Sequence, residues 1–270
     1  MVNPLDWDLG NVPPGIAWGG VDEAGRGAWA GPVVAACAVL DAGSVHAWSH
    51  VLRSVRDSKK VSPDRREALA SELKSVLAGW AVAEVDVLAI DRENILEATL
   101  MAMRQAVSSL SLRPRLLLVD GNRAPQTGLP ERLVVDGDAL SCAIGAASIL
   151  AKAHRDARMV ELEEQYPGYG FAQHKGYGTA LHRARIEALG VSSIHRLSYA
   201  PVAALQVVDE ALRNALRHSL EACSSVAELQ TWVDAQLRPA YGRLKLVWVE
   251  TLRRRYAERL AQLAAESGLE

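Results

Sequence analysis

The chain has 270 residues, 49% of them hydrophobic and 23% charged, with a formal net charge of −2. That length fits one large domain or one domain with an appendage, and the balanced charge gives no net basic field, so any attraction to nucleic acid must come from a local patch. Cys37, Cys142 and Cys223 stand alone without a CxxC pair, which argues against a disulfide framework and a zinc site and favours a reducing compartment.

The N-terminal stretch MVNPLDWDLGNVPPG is acidic and broken by proline, unlike a signal or transit peptide, and residues 1–15 read as a tail. No apolar run reaches the length of a membrane span, so the expectation is a soluble, cytoplasmic protein. IAWGGVDEAG and PVVAACAVL are β-prone runs joined by a glycine-rich turn, a hairpin. Ser62-Pro63 opens a helix over residues 62–78 as N-cap and first helical residue, with Leu69, Leu73, Val76 and Leu77 at helical spacing. WAVAEVDVL (80–88) reads as a third strand, and Asp91 as the cap of a helix carrying Leu96, Leu100, Met103, Val107 and Leu110 on one stripe.

RPRLLLVDG (113–121) and ERLVVDGD (131–138) are short strands that each run into an aspartate. One long small-residue helix over 139–165 follows, then the loop YPGYGFAQHKGYGT and a short helix near 179–189. Hairpin, strand, then alternating helix and strand predict an α/β fold, a mixed sheet with helices on both faces. After SYAPV the helical spacing of Leu205, Val208, Leu212, Leu216 and Leu220, a capping-box pair Ser225/Glu228, a closing Pro239 and a helical pattern over 240–266 predict a C-terminal extension of about three helices. The expected division is a tail (1–15), a catalytic domain (16–205) and the extension (206–270).

Four acids end apolar strands or lie just past them: Asp22, Glu23, Asp120 and Asp138. Strand ends form the crevice where α/β sheets bind ligands. Taken singly, each has a plain alternative as turn former, and Asp138 as cap of the following helix. Together their repulsion calls for a cation, and oxygen donors without His or Cys point to Mg2+ or Mn2+. Such ions serve phosphodiester chemistry, in which two of them activate water and stabilise the leaving oxygen. Asp156 is set aside: eighteen residues beyond Asp138 on a continuous helix is about 27 Å, and an ion pair with an arginine suits it better. His174, His182 and His195 lack metal-ligand spacing and read as loop or surface residues.

GVDEAGRG, RDSKKVSP, LLLVDGN, GD ahead of AIGAASILAKAHRD, and YPGYGFAQHKGYGT with IHRLSYAPV occur in that order. Together they closely resemble bacterial ribonuclease HII, of the type 2 ribonuclease H family, over roughly residues 16–202; several unrelated motifs in register are far more specific than one alone. The resemblance implies a ribonuclease H-like sheet and a metal-dependent endonuclease that cuts the RNA strand of RNA/DNA hybrids. It also implies cleavage on the 5′ side of single ribonucleotides embedded in duplex DNA. The family's metal-binding acids match Asp22, Glu23, Asp120 and Asp138, its Gly-Arg-Gly motif falls on Gly25, Arg26 and Gly27, and its substrate-sensing tyrosine matches Tyr177.

Glycines without Cβ let backbone groups approach a sugar, and the 2′-hydroxyl is what separates RNA from DNA. A tyrosine ring on the neighbouring deoxyribose would test the RNA-to-DNA step. Lys59 and Lys60 are placed as phosphate contacts, which position a duplex without reading sequence; a solvated charge run is their alternative. Ser148 and Lys152 lie in the small-residue helix, whose small residues read mainly as packing, with a supporting role beside the acids as the lesser alternative. The chain departs from the family at Ala28, where proline is usual, at Asp136, where lysine is common, at the bulky Trp29, and in its tail. Residues 206–270 carry nine acids and nine bases, with Arg253, Arg254, Arg255 and Arg259 as one local basic face. The tail reads as a structural or accessory unit, with substrate or partner contact as the alternative. A non-catalytic binding module and a small-molecule phosphatase are the competing functions; the four intact acids weigh against the first, and the glycine-flanked arginine with a tyrosine loop against the second. A monomer is expected.

Overall fold

The run PVVAACAVL shows no alternation of polar and apolar residues because neither side of it meets water. In the computed structural model, which describes residues 2–55, 62–206 and 210–266, Val33–Leu40 (β2) is buried at every position. Such a strand belongs in the middle of a sheet covered on both faces. Trp18–Ala24 (β1) pairs antiparallel with it, placing Asp22 opposite Ala36 and Glu23 opposite Ala35. Gly79–Val85 (β3) pairs antiparallel with the other edge of β2. Leu116–Asp120 (β4) lies parallel to β1, and Glu131–Val134 (β5) parallel to β4. The order β3-β2-β1-β4-β5 is the mixed sheet expected from the sequence.

Helices Pro4–Asn11 (α1), Ala42–Leu52 (α2), Pro63–Val76 (α3), Val87–Glu93 (α4), Ile95–Ser108 (α5), Gly137–Leu140 (α6) and Cys142–Gln165 (α7) complete this part of the chain. Ala143, Ile144, Ala147 and Leu150 of α7 join Val34, Ala36, Ala38 and Leu40 of β2 in one core cluster. The intervening Val33, Ala35, Cys37 and Val39 are equally buried, and α5 packs against β2 and β3. Helices therefore cover both faces.

Several boundaries differ from the sequence reading. Residues 4–11 form a helix held by a proline in its first turn and the Asn3 cap, with Leu5 and Asp8 fully buried. The Asp8 carboxylate accepts hydrogen bonds from the Ala143 amide (2.9 Å) and the Trp18 indole (3.3 Å), so α1 caps α7 from a distance. Helix α2, with a reciprocal Asp41/Ser44 capping box, fills a stretch where no element was expected. Asp91 is a buried residue inside α4; the α5 cap is Asn94, whose side chain accepts from the amides of Leu96 and Glu97. The long helix is interrupted at Ser141, with α6 before it and α7 after it.

Contacts divide the chain into two compact units, residues 1–27 with 32–161, and residues 28–31 with 162–270. The sheet belongs to the first. The second contains Phe171–His174 (α8), Ala180–Leu189 (α9), Ala200–Ala203 (α10), Glu210–Glu221 (α11), Val226–Trp232 (α12), Arg238–Ala240 (α13) and Leu246–Glu266 (α14). Within that unit the extension is closely fitted to what precedes it. A Cβ on Gly242 would lie 1.7 Å from the Val191 carbonyl oxygen, and the Gln206 amide donates to the carbonyls of Gly242 and Leu244. Pro239 does not end its segment: it sits in the first turn of α13, directly after a π-helical turn over Val233–Leu237.

In the first unit β1 and α7 meet backbone to backbone, and a Cβ on Gly20 would come within 2.0 Å of the Ala143 carbonyl carbon. Backbone cannot yield there as a side chain could. Gly20→Ala is expected to destabilise the protein by at least ~1–3 kcal/mol, the usual cost of overpacking, read as a lower midpoint in urea; an unchanged midpoint would show that the helix is free to shift.

Candidate metal and substrate site

Strand β1 delivers Asp22 and Glu23 at its carboxyl end, and its parallel pairing with β4, Val21 beside Val119, puts Asp120 at the same end of the adjacent strand. Asp22 is 6% exposed. Its carboxylate accepts from the Glu23 amide at 2.7 Å and is hydrogen-bonded by the Ser148 side chain of α7. Ser148, read from the sequence mainly as packing, is thus a direct partner of the most buried of the four acids. Asp120 accepts from the Gly137 amide at 2.7 Å, one residue before the half-buried Asp138. Asp138 is not a helix cap: the cap position of α6 is Asp136, in the left-handed conformation (φ 54°) and without a side-chain capping bond.

Burial, then the neighbouring carboxylates of Glu23 and Asp120, push Asp22 well above the ordinary carboxylate range. Burial raises Glu23 as well; Arg26, 3.3 Å away, opposes the shift and Asp120 adds to it. Three of the four acids therefore feel one another at one end of the sheet. Among the described residues no three such side chains close into a ready-formed ligand group, so an ion would have to draw the carboxylates together. The donor set fits one: oxygen ligands only, whose negative charge burial and mutual repulsion penalise.

The loop after β1 is fixed by a residue the sequence reading passed over. Arg155 of α7 is fully buried and donates from Nε to the Pro32 carbonyl at 3.1 Å. Gly25 (φ 93°) lies against it, and a Cβ there would fall 1.9 Å from Arg155 Nε. Gly27 is exposed, with open space where a Cβ would go. The two glycines thus differ: Gly25 is required by packing and φ, whereas nothing in the fold requires Gly27. Arg26 is half exposed beside Glu23. Asp156 pairs with Arg66 and Lys152, the structural role expected of it. Lys59 and Lys60 lie outside the described residues.

In the second unit, His174, His182 and His195 correct the surface reading: they are buried with Phe171 in an aromatic cluster, His174 stacked on His182 at 4.2 Å. Hydrogen bonds fix their tautomers. The Ser192 amide donates to His195 Nδ1 (3.0 Å), so His195 Nε2–H donates to His182 Nε2 (3.0 Å), and His182 Nδ1–H donates to the Tyr177 carbonyl (3.0 Å). The chain of bonds holds the backbone of Tyr177, whose side chain is exposed. Burial, with neighbouring histidines adding to it, lowers His182 to about 4 and His195 to about 3. Trp29 donates its amide to the Gly176 carbonyl (2.8 Å), and its ring fills the space a Cβ on Gly178 would need. Arg196, also buried, donates from Nε and Nη2 to the Gly31 carbonyl.

A model of the ribonuclease HII family matches residues 19–202. The chain is 50% identical over 192 residues to a ribonuclease HII of Dechloromonas aromatica, covering 71% of this chain and 94% of that protein. It is 48% identical over 200 residues to one of a Polaromonas species, covering 74% and 95%. The fold is similar to the ribonuclease H2 of Pyrococcus horikoshii, with a TM-score of 0.61 at 27% identity over 70% of this chain and 97% of that one. A ribonuclease HII of Archaeoglobus fulgidus solved with PCNA gives 0.57 at 27% identity, over 68% and 95%.

Because Asp22 and Glu23 are raised on folding, they favour the folded state below the ordinary carboxylate range and lose that contribution as pH rises through their folded-state values. Without divalent ions at about pH 8, Asp22→Asn is therefore expected to raise Tm, and Mg2+ or Mn2+ to raise the wild-type Tm but not that of Asp22→Asn; equal ion effects on both would remove Asp22 from the ion site. His182 and His195, lowered on folding, stabilise above their unfolded value near 6.5 and lose that contribution as pH falls towards about 4 and 3. Their ring NMR signals should stay those of neutral imidazole down to about pH 5, and a midpoint near 6.5 would contradict the buried network.

Proposed function

The chain belongs to the ribonuclease HII family, a family of metal-dependent endoribonucleases that act on RNA/DNA hybrids, and on that premise we propose how its own residues carry the reaction and what else it cuts. Asp22, Glu23, Asp120 and Asp138 hold Mg2+ or Mn2+. The observation that carries this reading is the convergence of Asp22, Glu23 and Asp120 at one end of two parallel-paired strands, where each ionised group penalises the next. Bound there as a pair, divalent ions supply charge neutralisation, an activated water and stabilisation of the leaving 3′ oxygen, the two-ion route to phosphodiester hydrolysis with a 5′-phosphate product. Ser148 orients Asp22, and the Gly137 amide orients Asp120.

The Gly25-Arg26-Gly27 loop binds the ribose next to the scissile phosphate. Its backbone offers donor and acceptor to the 2′-hydroxyl, and Gly27 leaves the space through which the sugar approaches. Tyr177 packs on the deoxyribose at the RNA-to-DNA step, held by the backbone bond from His182. These elements extend the activity to duplex DNA carrying a single ribonucleotide, cut on its 5′ side, the first incision of ribonucleotide excision repair. Lys59 and Lys60 steady the duplex through phosphates. The enzyme works as a monomer in the cytoplasm; no described helix is long and apolar enough to cross a membrane.

A purified sample is expected to nick a DNA duplex containing one ribonucleotide and to spare an all-DNA duplex, with EDTA abolishing the cut. Asp120→Asn should lower kcat by three orders of magnitude or more, roughly the scale of losing essential charge stabilisation, while duplex binding persists. Gly27→Ala and Tyr177→Ala should keep the wild-type Tm yet lose most activity on the single-ribonucleotide substrate; full activity there would remove the junction-reading role. No cleavage with either ion would refute the assignment as a whole.

A further inference from the structure

Residues 206–270 lie past the family match, and their equal numbers of acids and bases conceal an uneven distribution. Helices α11 and α14 pack together, and between them lies a pocket of about 240 Å³ lined by Arg213, Arg217, Trp248, Thr251, Leu252 and Arg255. Three arginines and no carboxylate line it among the described residues. Arg213 and Arg217 are one helical turn apart, on the same side of α11. The Arg213 guanidinium stacks 4.5 Å from the centre of the Trp248 ring, and the Lys245 ammonium sits 5.1 Å from it. Arg255 is held by Glu221 at 2.7 Å, which fixes its position beside the pocket. Arg217 is exposed, and no described acid is paired with it.

We propose that this pocket is a second nucleic-acid contact, binding the phosphodiester backbone of duplex DNA, on the extension and separate from the four-acid site. Three arginines lining one pocket, with only Arg255 paired to an acid among the described residues, suit a polyanion. Arginine stacked on an indole suits phosphate, because the ring holds the planar fork in place without neutralising it. Trp248 is half-buried and already in contact with two cations, so it serves as their support rather than as a platform for bases. The contact therefore reads backbone and not sequence, as an enzyme needs that must act wherever a ribonucleotide lies. The inference rests on nucleic acid being the substrate.

The test is binding of a labelled all-DNA duplex to the full-length protein, followed by anisotropy across a salt series, in wild type, Arg217→Glu, Arg213→Ala/Arg217→Ala and Arg254→Ala. Arg254 lies on α14 but outside the pocket. Losing two phosphate contacts should reduce the slope of log affinity against log salt by about 1.8, and weaken binding about tenfold or more at moderate salt. Arg254→Ala should change little. Arg217 is exposed, so Arg217→Glu is expected to fold even if the double variant does not, and to weaken binding in the same sense. An unchanged slope in the pocket variants, or an equal loss in Arg254→Ala, would overturn the site; so would polyglutamate competing as well as DNA with the same dependence on Arg217, since that would mark an acidic protein partner. Failure of wild type to cleave a ribonucleotide-containing duplex would instead count against the catalytic reading, which this binding assay does not use.

Discussion

The first unit depends on one close approach, that of helix α7 to strand β1. Gly20 admits the backbone of Ala143 to a distance no side chain would allow. Strand and helix then run side by side in the same direction. From Gly20 to Gly25 the strand direction advances about 17 Å at roughly 3.3 Å per residue, and from Ala143 to Arg155 the helix advances about 18 Å at 1.5 Å per residue. The two elements stay in step. Ser148 therefore meets Asp22, and Arg155 arrives at Gly25 and the Pro32 carbonyl. One steric contact at the start of α7 sets both the orientation of the central carboxylate and the course of the Gly-Arg-Gly loop.

That arrangement also determines the electrostatics. Acids at the ends of adjacent strands, roofed by a helix, lose water and repel one another, and the Arg26 guanidinium beside Glu23 opposes only part of that cost. The folded state therefore carries a cluster whose ionisation is costly, and a divalent cation is the natural compensation. Asp8 tells a related story at the start of the same helix. It is raised to about 6 by burial even though it accepts from the Ala143 amide, so the N-terminal segment supplies a charge that steadies the start of α7. Fold and site share the same helix, and changes near residue 143 reach both.

Much of this was legible. The two apolar runs flanking the glycine-rich turn pair as the expected hairpin, Ser62-Pro63 opens α3 as expected, and the acids stand out as strand-ending residues. Less visible were residues whose role is to touch something distant in sequence. Arg155 continues the i, i+4 stripe Ala143-Ala147-Ala151, and an arginine on a small-residue face is a signal that was available. The three histidines had no such signal, because neither ring stacking nor the tautomer chain leaves a trace in spacing. Helices α1 and α2 were missed for want of strong periodicity, and tertiary burial of Leu5, Val51 and Leu52 stabilises them instead.

The sequence by itself determined the family and the sheet's strand content, since these follow from local patterns and from motifs in order. Only the tertiary structure decided how the acids are held. Register between β1 and β4 aligned Asp22 with Asp120, the Gly20 contact brought Ser148 and Arg155 into place, and packing distinguished Gly25, which the fold requires, from Gly27, which it leaves open. It likewise gathered the cations of the extension beside Trp248, though their charges cancel in the count. Those outcomes depend on distances between residues far apart in the chain, which burial and steric contact set and no local pattern encodes.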